Sequence, residues 1–128
     1  MSRRIRRIVL LEDHPTHARL AKLFLTSKGY KVTTCFTGED VLSHVGDPHV
    51  DMFILDVQIS DSSFGGLDIA ELIREKNPEA QVLMVTAYKL AQVAEEAKAR
   101  GLGDLPILGK PFRSEDLIAA VKQLDLPE

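Results

Sequence analysis

Five side chains in this sequence are placed for chemistry: the adjacent acids Glu12 and Asp13, the carboxylate of Asp56, the hydroxyl of Thr86 and the ammonium of Lys110. Each follows a short apolar run, Ile8-Val9-Leu10-Leu11 before the first pair, Phe53-Ile54-Leu55 before Asp56, Val82 to Val85 before Thr86, and Ile107-Leu108 shortly before Lys110. Three carboxylates crowded together repel one another and stay ionised only beside a compensating cation. Oxygen ligands with positions open to water and phosphate describe a magnesium site better than a zinc site. Beside such an ion Asp56 could attack a phosphoryl group, the metal neutralising charge on the transferred oxygens. Thr86 offers a hydroxyl and Lys110 a point charge to the same phosphate. One chemistry accounts for the whole set, a carboxylate that accepts phosphate. The plainer alternative is that Asp56 caps a turn, as an aspartate after a strand often does.

These residues are far apart in the chain, so only the fold can gather them. The stretch Asp51 to Val57 holds four consecutive apolar residues, too short for an average helix, and reads as a strand buried on both faces. Ile5 to Leu11, Tyr30 to Phe36 and Gln81 to Val85 read as further strands, and Leu105 to Leu108 as a fifth, placed at an edge by Pro106. A first helix opens at Pro15, with Asp13 or His14 as N-cap and Leu20, Ala21, Phe24 and Leu25 on one face, and stops at Gly29. Thr37-Gly38-Glu39-Asp40 resembles a capping box for a short second helix with Val41, Leu42 and Val45 inward, ended by Gly46-Asp47-Pro48. Gln58 to Gly66 is a polar loop, and Leu67 to Lys76 a third helix with Ile69, Ala70 and Ile73 on one face. Lys89 to Arg100 carries only a thin stripe of Leu90, Val93, Ala94 and Ala97. The last helix has Ser114 as N-cap, acids Glu115 and Asp116 in its first turn, and Leu117, Ile118, Val121 and Leu124 inward. Five strands alternating with five helices predict an α/β doubly wound parallel sheet. Ligands of such sheets bind at the carboxyl ends of the strands, where all five candidate side chains fall.

The bulk properties fit one globular domain over residues 1–128: 45% hydrophobic and 27% charged residues, with a formal net charge of -3. That charge argues against direct nucleic-acid binding, although Arg3, Arg4, Arg6 and Arg7 form a local basic run beside the first strand. A single cysteine, Cys35, excludes an internal disulfide and fits a reducing, cytoplasmic setting, where it reads as a small buried hydrophobe. The apolar run at Ile8 meets Glu12-Asp13 too soon for an export or membrane segment.

With Glu12-Asp13 after the first strand, Ile54-Leu55-Asp56 after the third, Thr86-Ala87 after the fourth and Lys110-Pro111-Phe112 after the fifth, the chain resembles the receiver domain of bacterial two-component response regulators. The resemblance implies a flavodoxin-like receiver architecture in which Asp56 is the phosphoacceptor. It implies that Asp13, with Glu12 acting through water, holds magnesium together with Asp56 and the Gln58 backbone carbonyl. Thr86 becomes the switch hydroxyl, and Lys110 pairs with the phosphate next to a peptide to Pro111 that is usually cis in the family. The implied partners are a sensor histidine kinase or phosphotransfer protein upstream, and an effector protein or attached output domain downstream. The only catalysis implied is the domain's own phosphoryl transfer and dephosphorylation. Ser60 departs from the family's usual proline, Asp61 to Gly65 lengthens the loop, Gly101 to Pro106 lengthens the approach to the fifth strand, and Ile107 replaces a common aromatic. Gln58 and Tyr88 stand beside the path of an in-line hydrolytic water, which Tyr88 is expected to obstruct.

Other readings fit less well. A degenerate receiver would keep the fold as a binding module, yet every reactive position is present. A haloacid-dehalogenase-like phosphatase needs an aspartate two residues beyond the nucleophile, where this chain has Gln58. A nucleotide or flavin binder needs a glycine-rich loop where Glu12-Asp13-His14-Pro15 stands. His14 and His17 can share a helix face but lack a third ligand, and read as surface residues.

Overall fold

The computed structural model describes residues 4–57, 65–87 and 89–125. Strands β1 (Arg7–Leu11), β2 (Lys31–Cys35), β3 (Met52–Asp56), β4 (Gln81–Thr86) and β5 (Ile107–Gly109) alternate with helices α1 (Pro15–Thr26), α2 (Gly38–Leu42), α3 (Gly66–Lys76), α4 (Leu90–Ala99) and α5 (Ser114–Leu124). The strands form one parallel sheet in the order β2-β1-β3-β4-β5, so the chain reverses its direction of winding between β1 and β3. This is the expected α/β doubly wound, flavodoxin-like arrangement.

Successive side chains of a strand point to opposite faces, and the two cores follow that alternation. Val9, Leu11, Phe53, Leu55, Val82 and Met84 pack against residues of α2, α3 and α4, among them Val41, Ile73 and Ala97. Ile8, Leu10, Met52, Ile54, Leu83 and Val85 pack against Leu25 of α1 and Leu117 and Val121 of α5. Because both faces are covered, all five residues of β3 are buried, which is why its sequence is a continuous apolar run instead of an alternating one.

The amino edge of the sheet is closed by two aspartates. Asp51 Oδ2 accepts the backbone N–H groups of Arg6 (2.9 Å) and Arg7 (3.0 Å), joining the approach to β3 to that of β1. Asp125, after α5, accepts from Ile5 N–H (2.7 Å) and the Tyr30 hydroxyl (3.0 Å). Ile5 and Tyr30 are therefore buried although they precede the strands they were expected to begin.

Several boundaries shift from expectation. β5 is Ile107–Gly109 instead of Leu105 to Leu108; Pro106 has no N–H to give but its carbonyl accepts from Met84 N–H at 3.0 Å. Ser114 is the first residue of α5 and not its N-cap. Arg113 holds the cap position, its N–H donating to Asp116 Oδ2 at 3.0 Å. His14 occupies the N-cap of α1 without a side-chain bond, whereas the Thr37–Asp40 capping box at α2 is present in both directions. Leu20, Leu90 and Ala94, members of the apolar faces expected for their helices, are exposed; α1 anchors through Ala18 and Leu25, and α4 through Val93 and Ala97.

Candidate functional site

The carboxyl edge of the sheet brings the candidate side chains to the place where winding reverses. Glu12 follows β1, Asp56 ends β3, Thr86 ends β4, and Lys110 follows β5. Backbone bonds fix this edge: Glu12 N–H donates to Cys35 O (3.0 Å), Val57 N–H to Val85 O (2.8 Å) and Lys110 N–H to Thr86 O (2.7 Å). Behind Asp56, α3 begins so close that a Cβ on Gly66 would lie 2.6 Å from the Asp56 carbonyl oxygen and 2.8 Å from Val57 Cα. Only glycine permits that approach.

Glu12, Asp13 and Asp56 each offer a carboxylate oxygen, and these oxygens all lie within 4.8 Å of one another. Glu12 and Asp56 are buried and Asp13 is half-buried. Lys110 Nζ donates to Asp56 Oδ2 at 2.9 Å and also to Glu12 Oε1. Glu12 Oε2 accepts from His14 N–H at 3.1 Å, so this carboxylate touches Lys110 directly as well as facing the acidic group. Burial pulls the Lys110 ammonium towards deprotonation, but hydrogen bonds and charge from Glu12 and Asp56 outweigh it and hold its pKa above the ordinary value. Thr86 is buried, and the Lys110–Pro111 peptide is cis. Gln58, Ser60 and Tyr88 lie outside the described residues.

Two features had no clear sequence signal. A cleft of about 460 Å³ opens beside the acids, lined by Leu20 and Phe24 of α1, Phe112, and Leu117 of α5, with Glu12, Asp56 and Lys110 in its wall. Leu20, Ala21 and Phe24, which share one face of α1 by their spacing, line this cleft together. Ile107 is half-buried against the core on the α2, α3 and α4 side, while its neighbour Leu108 turns to the other face.

Cys35 is buried, and its thiol is pushed up to about 11 by burial and the nearby Asp40 charge, which makes it unreactive at neutral pH. His14 and His17 are exposed with stacked rings 4.0 Å apart, and among the described residues neither belongs to a group of three metal-ligating side chains. Both retain the roles expected of a small core residue and of surface residues. No helix among the described residues is long and apolar enough to cross a membrane.

A doubly wound sheet with clustered acids at its reversal point, faced by a lysine just beyond the last strand, defines the class of receiver folds. The chain belongs to the family described as response regulator receiver domain, which it matches over residues 8–122. It is thus a signalling domain of two-component systems. It is 28% identical over 116 residues to the transcriptional regulatory protein DltR of Streptococcus agalactiae, covering 91% of this chain and 50% of DltR. The chain thus spans half the length of that relative. A CheY-like receiver domain protein of Methanospirillum hungatei superposes with a TM-score of 0.82 at 22% identity, covering 94% of both chains. The BeF3-activated DrrB receiver domain has a TM-score of 0.79 at 26% identity, covering 94% of this chain and 97% of that one.

Proposed function

We propose that residues 1–128 act as a single cytoplasmic receiver domain that takes phosphate on Asp56 from a histidine kinase or phosphotransfer protein and relays its state to an effector protein or an attached output domain. The observation that carries this reading is Lys110 Nζ, held 2.9 Å from Asp56 Oδ2 inside a group of three carboxylates. That group fits magnesium: every donor is a hard oxygen, and three carboxylates against one ammonium leave two negative charges, those of a dication's complement. Glu12, Asp13 and Asp56 would hold the ion, with the Gln58 carbonyl as the further ligand the family resemblance implies. Magnesium when bound supplies charge neutralisation at the phosphoryl oxygens.

The protein's own side chains do the rest. An Asp56 carboxylate oxygen attacks phosphorus, the bond from phosphorus to the donor breaks, and the donor leaves with that electron pair, giving an acyl phosphate. Lys110 fixes the Asp56 carboxylate and presents its positive charge to the arriving phosphoryl oxygens. The Thr86 hydroxyl, at the end of the neighbouring strand, donates to one of them once it is in place. Hydrolysis of the acyl phosphate by the same site restores the carboxylate, so the only catalysis is self-directed.

Incubation with a small acyl phosphate and Mg2+ followed by intact-mass measurement tests the proposal. One phosphoryl adduct is expected, lost on omitting Mg2+ and in Asp56→Asn. An adduct that survives Asp56→Asn and maps elsewhere removes the assignment. A native protein unmodified by acyl phosphates and by a histidine-phosphorylated donor would be a phosphorylation-independent binding module instead.

A further inference from the structure

The cleft beside the acids opens on the face of the sheet to which Asp56 itself points. Side chains alternate between the two faces of a strand. Ile54 packs on the α1 and α5 side and Leu55 on the α2, α3 and α4 side, so Asp56 turns back towards α1 and α5. Glu12, after Leu11, and Lys110, just beyond Leu108-Gly109, turn the same way, and all three stand in the wall of the cleft. Away from this charged end the lining is apolar. Leu10, Ile54 and Val85 come from the sheet, Leu20 and Phe24 from α1, and Phe112 from the approach to α5. Besides the three charged groups, His17 and Ser114 are the only polar side chains among its described lining residues, and Lys110 is its only lysine or arginine. Leu20 is 46% exposed and Phe24 half-buried, so this apolar wall is open to an incoming molecule.

In-line displacement places the leaving group on the side of phosphorus away from the nucleophile. For a phosphoryl group held between Asp56 and Lys110, that side is the cleft. Its volume of about 460 Å³ lies within the range of pockets that hold small molecules, about 300–1,000 Å³. An acetyl group would leave most of that space to water, whereas an aryl or medium-length alkyl group can cover Leu20, Phe24 and Phe112 and gain from the apolar area removed from water. An acyl group with a negative charge of its own would meet three carboxylates and a single ammonium.

We propose that the cleft seats the leaving group of a small phosphodonor, and that among acyl phosphates the site takes those with a bulky, uncharged, apolar acyl group ahead of acetyl phosphate. The inference rests on the reading of Asp56 as acceptor and adds to it the class of donor. With benzoyl phosphate, an Asp56 carboxylate oxygen bonds to phosphorus, the bond from phosphorus to the benzoyl oxygen breaks, and benzoate leaves with that electron pair; no proton is transferred. Leu20 and Phe24 bind the departing group and take no part in the bond changes.

The test compares benzoyl and acetyl phosphate on the whole chain with Mg2+, reading initial rates of adduct formation by intact mass over a range of donor concentrations. In Phe24→Ala the ratio of the benzoyl to the acetyl second-order rate constant is expected to fall by about tenfold, through a higher half-saturating concentration of benzoyl phosphate and not a lower maximal rate. Taking the ratio in each protein cancels the donors' own reactivities. Leu20→Ala, at a half-exposed position, is expected to lower the same ratio by about threefold, and decides the matter if the Phe24 variant folds poorly. Binding without transfer gives a second readout. Benzylphosphonate, whose phosphorus is bonded to carbon, is expected to bind the native protein at least about fivefold more tightly than methylphosphonate and to shift the amides of residues 20–24 and 112–117. A ratio unchanged in both variants, or equal binding of the two phosphonates, would overturn the proposal. So would a loss in the variants confined to transfer from a histidine-phosphorylated protein, which would make the cleft a docking surface for that protein. Adducts on Asp56 without this selectivity sink the donor site alone, whereas no adduct on Asp56 from either donor refutes the acceptor reading and the donor site with it.

Discussion

Lys110 carries one positive charge to two buried carboxylates, and its loss should be felt through both. Removing one partner of a buried ion pair strands the other, at a cost of about 3 kcal/mol that the side chain's partial exposure reduces. Lys110→Met is therefore expected to lower stability by roughly 2 kcal/mol without metal, and Mg2+ should restore more of that loss in the variant than it adds to the native protein. Thermal denaturation with and without Mg2+ checks this; equal Mg2+ effects in the two would place the ammonium outside the charge balance. Because the Lys110 pKa is raised, its contribution is complete at neutral pH and fades only as pH climbs through that raised value. Tyr30 offers a sharper titration. Burial, and then its bond to Asp125, push its phenol from 10.0 to about 12. An unfolded chain ionises first, so the Tyr30 contribution is whole below pH 10 and is lost between pH 10 and 12, by roughly 2–3 kcal/mol. Urea titrations across that window should show the decline, and Tyr30→Phe should reduce it, leaving only the share that Lys110 and Cys35 lose over the same range; an unreduced decline would mean the Tyr30 phenol is not the source. That these five candidate side chains would meet at one edge was legible because each stands at or just beyond the end of an apolar run. The second partner of Lys110 was not, since nothing in the local sequence says which carboxylates an ammonium will reach from a strand 98 positions away.

At the scale of elements, the junction of β3 and α3 is the least forgiving. Gly66→Ala would set a methyl group 2.6 Å from the Asp56 carbonyl oxygen, against backbone that cannot step aside without moving Asp56, the proposed acceptor. Destabilisation of about 1–3 kcal/mol is expected, with slower phosphoryl uptake from the displaced carboxylate. Denaturant unfolding and the rate of adduct formation measure the two effects; an unaltered rate would mean the acceptor tolerates the shift. All ten elements could be placed from periodicity, capping residues and breakers, because buried parallel strands and their crossovers leave strong patterns. The errors share a cause. Leu20 and Leu90 match a helical stripe, but periodicity reports which residues share a face and not whether a neighbour covers it. The late start of β5 and the one-residue slip at Ser114 are of the usual kind at element ends, where single capping bonds such as Arg113 N–H to Asp116 Oδ2 decide. The Arg100–Asp68 pair, spanning two helices, left no sequence trace for the same reason.

For the whole molecule, the two edges of the sheet do separate work. The carboxyl edge collects charge and chemistry, whereas the amino edge is sewn by Asp51 and Asp125. The topology could be inferred because parallel neighbours require crossovers, yet neither stitch could, since both join residues distant in sequence. Asp125 binds Ile5 N–H across 120 positions, so the beginning and the close of the fold are spatial neighbours. Such a chain resembles a ring opened at one point more than a line with two ends. A short linker across Arg4 and Asp125, with the opening moved to the exposed turn at Pro78-Glu79, would rearrange the order of synthesis while leaving every strand neighbour and the acceptor in place. A partner protein fused at either of the fold's original ends would hang from the sewn edge, about 16 Å of strand away from the Asp56 carboxylate, and would have to read any change there from the faces of the domain and not through its tether.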